Sequence, residues 1–112
     1  MTLYDMLART AANAPAAPAL RFRDRTWHYG ELLAAVDGFA AGVSALGVSK
    51  RGRIALLLPN CPPFVIAYLG ASRAGATVVP INVLYRPDEA RYILLDSDVE
   101  VLITAEPFRP LV

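Results

Sequence analysis

Three short segments in the second half of the chain have the pattern of β-strands, and we expect the first two of them to be buried. Residues 54–58 form an unbroken apolar run, and residues 77–81 and 99–104 are two further candidates. A run without polar alternation is typical of a strand covered on both faces, as in a parallel sheet flanked by helices. Because Pro80 cannot donate a hydrogen bond to a neighbouring strand, we expect it at the end of its strand or beside a bulge.

The clearest helix signal covers residues 31–46. Five apolar residues recur there at steps of four and three and form a single stripe: Leu32, Val36, Phe39, Val43 and Leu46. Gly47 follows at the position where a left-handed residue ends many helices. We therefore expect a helix that buries this stripe and ends at Gly47.

End signals predict three more helices. The first covers residues 2–13, with Thr2 as its N-cap and prolines after its last turn. The second begins at Pro62 or Pro63 and runs to residue 74, and its small residues permit close packing against a neighbour. The third begins at Pro87 and has two acidic residues in its first turn, where the helix dipole favours them.

Residues 20–22 and 26–29 show the alternation of a β-hairpin. Each arm places two apolar side chains on one face, and polar residues lie between the arms. We place the turn at Asp24 and Arg25. Because arginine resists positive φ, the sequence leaves room for a turn longer than two residues.

The order of elements is helix, hairpin, and then helix followed by strand three times. Strands connected through helices form parallel sheets with right-handed crossovers. The sequence therefore predicts an α/β fold: a partial, mostly parallel sheet with flanking helices and an N-terminal β-hairpin.

Composition adds an expectation about surfaces. Of 112 residues, 55% are apolar and 19% are charged, so we expect some apolar surface to meet other protein and the isolated chain to self-associate.

No apolar stretch approaches the roughly 18–20 residues of a spanning helix, so we predict no transmembrane segment. The net charge of +1, with scattered basic residues, excludes a nucleic-acid patch. A single cysteine excludes an internal disulfide and favours the cytoplasm.

Residue types that carry chemistry are few and scattered. Gly70 and Gly75 have the glycine spacing of a phosphate-binding loop, but the lysine is missing and the segment ends a helix, so we interpret them as a packing glycine and a helix cap. Cys61, near a helix N-terminus, is interpreted as a small buried residue, since no histidine is nearby in sequence. His28 is interpreted as a surface or edge residue. We predict no catalytic residue and no metal ligand.

Whole phrases of the sequence carry more information than single residues. In order, they are Thr26-Trp-His-Tyr-Gly-Glu-Leu32, Pro59-Asn60, residues 64–70, Arg73-Ala-Gly-Ala-Thr-Val-Val-Pro-Ile-Asn82, residues 86–89, 92–97 and 101–104. Their order and spacing resemble the acyl-CoA synthetase branch of the adenylate-forming (AMP-binding) enzymes. The resemblance implies that residues 1–112 are the incomplete N-terminal portion of the large AMP-binding domain, with residues 1–18 as a helix and connector.

The resemblance also implies an activity for a complete enzyme. ATP, Mg²⁺ and a small carboxylic acid, such as a fatty acid, would form an acyl adenylate with release of pyrophosphate, and coenzyme A would take the acyl group as a thioester. In the family the groups that perform this chemistry lie downstream of the matched segment. We therefore expect a fragment that is inactive alone, binds none of these cofactors itself and has the rest of its own chain as its partner.

Two other interpretations stay open. The chain could be a self-contained small α/β binding or interaction module, or a truncated paralogue that acts as an assembly partner. A binding site would lie where the strands end at the carboxyl edge of the sheet, which makes Asn60 and Asn82 the candidate cofactor-binding residues. The competing interpretation is that both asparagines only form turns or caps.

Overall fold

The computed structural model describes residues 2–48, 51–105 and 107. It contains the predicted alternation of helices and strands, with a two-stranded hairpin and a three-stranded sheet. The elements in chain order are α1 (Leu3–Asn13), β1 (Pro18–Phe22), β2 (Arg25–His28), α2 (Tyr29–Ala45), β3 (Arg53–Leu57), α3 (Pro62–Ala74), β4 (Thr77–Pro80), α4 (Pro87–Asp96) and β5 (Val99–Thr104). The predicted fold class is confirmed.

The sheet is parallel and is built around β3. Its strand order is β4-β3-β5, and β3 pairs in parallel with both neighbours. Residues 54–57 of β3 expose no surface at all, which explains why these four positions are all apolar. The candidate strand at residues 77–81 ends one residue early, because Pro80 is the last residue of β4. The prediction that Pro80 lies at a strand end is confirmed.

Alternate residues of β3 enter two separate hydrophobic layers, as the period of two requires. On one face Ile54 and Leu56 pack with Val43 of α2 and with Ala67 and Ala71 of α3. On the other face Ala55 and Leu57 pack with Ile81 and with Ala90 of α4. Helices therefore cover both faces of the central strand.

The helix termini carry the glycines and the N-cap that the sequence predicts. Gly75 and Gly47 have φ values of +78° and +81°, in the left-handed region that only glycine enters readily. At the start of α1, the Thr2 hydroxyl accepts a hydrogen bond from the Asp5 N–H, and the Asp5 carboxylate accepts one from the Thr2 N–H. Both interactions satisfy amides that the first helical turn cannot satisfy itself.

Gly70 is a packing glycine, as the sequence analysis inferred. It is buried where α3 crosses α2, and a Cβ added to it would lie 2.5 Å from Cδ1 of Phe39. The missing side chain therefore lets the two helices approach closely. This contact sets the distance between the two helices that cover one face of the sheet.

The hairpin turn differs from the prediction in its position and length. Phe22 pairs with Arg25, so the turn consists of Arg23 and Asp24 and has only two residues. Arg23 takes the positive φ, at +56°. The arginine at the first turn position therefore carries the backbone strain that we had assigned to Arg25.

Apolar side chains of α2 and of α1 extend beyond the core. Leu46 is 69% exposed, because α2 ends at Ala45 and the end of its stripe passes the neighbouring helix and sheet. On α1, Leu7 is buried, whereas Leu3 and Met6 are about half exposed. Periodicity identified α2 and end signals identified α1, but neither showed where the neighbours of these helices end.

Candidate functional site

The loops that follow β3 and β4 form a groove at the carboxyl edge of the sheet. The two strands pair from Arg53 with Thr77 to Leu56 with Pro80, so their carboxyl ends lie side by side. The loops enclose a volume of about 500 Å³, and both Asn60 and Asn82 line it. The structure therefore brings the two candidate residues of the sequence analysis into one groove.

Asn82 also shapes the groove as a turn residue. Its side-chain oxygen accepts a hydrogen bond from the Leu84 N–H at 2.8 Å, and its backbone carbonyl accepts one from the Tyr85 N–H at 3.0 Å. This is the local hydrogen bonding for which asparagine is favoured in turns. The side-chain oxygen thus serves the loop, and the amide nitrogen is the group to consider for a ligand.

Asn60 is exposed and stands next to the N-terminus of α3. A helix N-terminus often binds anions through free backbone amides. Here Pro62 and Pro63 supply no N–H, while the amides of Phe64 and Val65 are both hydrogen-bonded to the Cys61 carbonyl. The first turn of α3 is therefore closed by its own loop and is not a phosphate cradle.

The chemistry of the groove is that of binding. Its walls include Phe64, Pro80 and Ile81, and Tyr85 is its one ionisable side chain among the described residues. Without a cation or a carboxylate in this lining, the groove does not fit a magnesium-bound triphosphate. A neutral polar group that carries apolar surface fits it better. Within the described ranges, no three His, Cys, Asp or Glu side chains lie close enough together to hold a metal ion.

The remaining candidates have structural roles. Cys61 is only partly buried, so the interpretation as a buried residue is wrong: it is the N-cap of α3 and lines a surface groove beside Leu20.

His28 is confirmed as a surface residue, with a side chain 45% exposed. Glu31 accepts hydrogen bonds from the ring Nδ1 of His28, at 2.8 Å, and from its backbone N–H, which lower the pKa of Glu31.

Sequence reasoning missed a polar cluster that joins three helices. The Tyr4 hydroxyl of α1 donates a hydrogen bond to the Asp37 carboxylate of α2 at 2.7 Å, and Arg73 of α3 hydrogen-bonds to both. The hydrogen bond to Asp37 raises the pKa of Tyr4 above its usual value, and the same carboxylate raises the pKa of Arg73. The only signal in the sequence is that Asp37 and Arg73 are charged residues within largely apolar helices.

No helix in the described part of the chain combines the length and apolarity needed to cross a membrane. The longest, α2, has 17 residues.

Comparison with known proteins identifies the family. The sequence profile described as "AMP-binding enzyme" matches residues 7–111. The long-chain-fatty-acid–CoA ligase of Bacillus subtilis (strain 168) is 37% identical over 109 residues, which are 97% of this chain and 20% of the ligase. A crotonobetaine/carnitine–CoA ligase of Salmonella paratyphi A is 36% identical over 87 residues, which are 78% of this chain and 17% of that protein.

Solved structures agree in fold. The N-terminal domain of FACL13 from Mycobacterium tuberculosis superimposes with a TM-score of 0.94 at 33% identity, over 99% of this chain and 29% of that one. An anthranilate CoA ligase, AuaEII, in complex with anthranoyl-AMP gives a TM-score of 0.95 at 28% identity, over 100% of this chain and 22% of that one. The chain spans about a fifth of the length of the curated relatives. It belongs to the AMP-binding enzyme family and corresponds to an N-terminal segment of the acyl-CoA ligases.

Proposed function

We propose that the chain is the N-terminal portion of the large domain of an ATP-dependent acyl-CoA synthetase that acts on a carboxylic acid of the fatty-acid type. The observation that carries the proposal is the family match over residues 7–111. The relative with 37% identity is a long-chain-fatty-acid–CoA ligase, which favours a fatty acid over an aromatic acid. The site of action would be the cytoplasm.

The surface of the chain supports a role within a larger domain. Leu84 is 85% exposed, and Tyr92 and Leu95 of α4 are each 68% exposed. Among the described residues, no strand pairs with the outer edge of β5. Apolar side chains and a free strand edge are features that proteins normally cover. We propose that the rest of the same domain covers them, and that without it the chain self-associates.

In this proposal the chain contributes a scaffold and one wall of a binding site. The intact enzyme would use ATP and Mg²⁺ to activate the acid as an adenylate and coenzyme A to accept the acyl group. Residues beyond this segment would hold the triphosphate and the metal, because the groove beside Asn60 and Asn82 lacks the charges for them. The buried β3 would keep this groove rigid relative to the rest of the site.

The proposal predicts activity in the full-length protein and none in the 112-residue chain. We expect acid-dependent exchange of labelled pyrophosphate into ATP, and thioester formation once coenzyme A is added, for the longer protein only. A panel of acetate, octanoate, palmitate and benzoate would identify the preferred acid. No exchange by the full-length protein with any of these acids would contradict the proposal, and so would exchange catalysed by residues 1–112 alone.

Calorimetry separates this proposal from a self-contained binding module. The 112-residue chain is titrated with ATP, coenzyme A and palmitate in turn, and we expect no heat of binding from any of them. Saturable binding of one ligand would favour the binding module. The full-length enzyme is the positive control for the quality of each ligand.

We further propose that Asn60 and the amide nitrogen of Asn82 bind a neutral polar portion of ATP or coenzyme A. In the full-length enzyme, Asn60→Ala is expected to raise the KM for one of these ligands about fivefold with little change in kcat, as the loss of one uniform binding interaction does. Asn82→Asp, which keeps the oxygen that accepts from Leu84 but loses the amide donor, should act in the same direction.

Asn13→Ala is the matched control for these variants, because Asn13 is exposed at the end of α1. It should leave both KM values unchanged. Unchanged KM values for ATP and for coenzyme A in the Asn60 and Asn82 variants would limit both residues to turn formation. A fall in thermal stability without a change in KM would lead to the same conclusion.

A further inference from the structure

The helix α1 is held to the rest of the chain by few interactions. It has 11 residues, of which only Leu7 and Ala11 are buried. Leu7 packs against Leu32 and Val36 of α2 and is flanked by apolar residues of α3. Isolated helices shorter than about 12–15 residues are marginal in water, so α1 depends on this contact for its helical structure.

The polar cluster of Tyr4, Asp37 and Arg73 is the second attachment, and we call it the latch. Besides its hydrogen bonds, the Arg73 guanidinium lies over the Tyr4 ring, 4.9 Å from the centroid. The side chains of Arg73 and Asp37 are 46% and 38% exposed, and they pair with each other directly. If α1 leaves, these two charges stay paired and solvated, so undocking does not strand a buried charge.

The segment after α1 is fixed independently of the helix. The Gly30 N–H donates to the Pro15 carbonyl and the Tyr29 N–H donates to the Ala17 carbonyl, both at 3.0 Å. These bonds satisfy amides in the first turn of α2 and hold the connector in place. Movement of α1 can therefore occur about Ala14 without disturbing the hairpin or α2.

We propose that α1 undocks and unfolds as one unit while the sheet stays folded. The latch, which consists of Tyr4, Asp37 and Arg73, sets how often α1 does so. Undocking uncovers an apolar seat formed by Leu32 and Val36 of α2 and Leu69 of α3. Local units of this kind open at a lower free energy than the whole domain. The proposal does not depend on the catalytic function, because it concerns only contacts within this chain.

Amide hydrogen exchange of the full-length protein tests the proposal. In the wild type, the amides of α1 should exchange together and faster than those of β3. Tyr4→Phe keeps the ring and removes only the hydroxyl, so exchange in α1 should become about fivefold faster, the effect of one hydrogen bond, while exchange in β3 stays unchanged. Asp37→Asn, which removes the charge that pairs with Arg73, should accelerate exchange in α1 as well.

Arg9→Gln is the matched control, because it changes an exposed residue on the same helix. It should leave exchange in α1 within twofold of the wild type, roughly the scatter of surface substitutions. Equal acceleration in α1 and β3 by Tyr4→Phe would show that α1 belongs to the global folding unit and would overturn the proposal. Unchanged exchange in α1 in both latch variants would overturn it too.

Discussion

Leu56→Ala is expected to lower the free energy of unfolding by about 3–4 kcal/mol, within the range for leucine truncation in a close-packed core. Leu56 exposes no surface and lies in the central strand, with a hydrogen-bonded strand on each side. Its side chain packs against Val43 of α2 and Ala67 of α3, in a layer that also contains Ile54. Backbone pairing keeps the surroundings from collapsing into the space, so the cavity remains.

Urea denaturation followed by circular dichroism would measure this loss. Leu46→Ala removes the same atoms from a side chain that is 69% exposed, and it should change stability by less than about 0.5 kcal/mol. Comparable losses for the two variants would mean that Leu46 is covered in the intact protein. A loss below about 1 kcal/mol for Leu56→Ala would contradict the central position of β3.

Gly70→Val is expected to destabilise the protein by about 2–3 kcal/mol through overpacking between α2 and α3. The added Cβ would lie 2.5 Å from Cδ1 of Phe39 and 3.2 Å from its Cβ. The ring can rotate away from the first contact. The second contact involves an atom bonded directly to the backbone of α2, so the helices themselves must move apart.

Gly38→Ala is the matched control for this variant. Gly38 lies within α2, and a Cβ there would meet nothing within 4 Å. Alanine loses less conformational entropy than glycine on folding, so stability should rise by about 0.5–1 kcal/mol. Opposite signs for the two variants, measured by denaturation under the same conditions, would establish that close approach of the helices, and not helix propensity, explains Gly70. A stabilising Gly70→Val would refute it.

The sequence predicted elements best where one physical rule acts alone. The unbroken apolar run of β3 predicted burial on both faces, and Gly75 predicted the left-handed end of α3; both are confirmed. Each depends on neighbours within a few residues or on one repeated pattern. The sequence segments that resemble the family follow the order of these elements along the chain, and they led to the correct family.

Features that depend on distant neighbours were missed or misplaced. The latch joins residues separated by 33 to 69 positions, and no local pattern relates them. Leu46 continues the apolar stripe, but among the described residues no neighbour covers it. Cys61 was assigned to the interior because no histidine is nearby in sequence, whereas at the N-cap of α3 it is only partly buried.

The placement of Asn60 and Asn82 followed from topology, but their roles did not. Parallel strands that are neighbours must end at the same edge, so a shared groove could be expected from the order of elements. The hydrogen bond from the Leu84 N–H to Asn82 depends on the loop conformation that follows β4. Sequence alone could not distinguish this turn from a ligand contact.

The position of Pro80 determines at which edge the sheet can accept a further strand. In β4, the amides of Thr77 and of the following Ile81 point to β3, where they bond to the carbonyls of Gly52 and Leu56. Alternation along the strand then directs the nitrogens of residues 78 and 80 outwards, and the second of these carries no hydrogen. Another strand approaching this side would find a single donor, so extension of the sheet by a further strand is expected to proceed from β5.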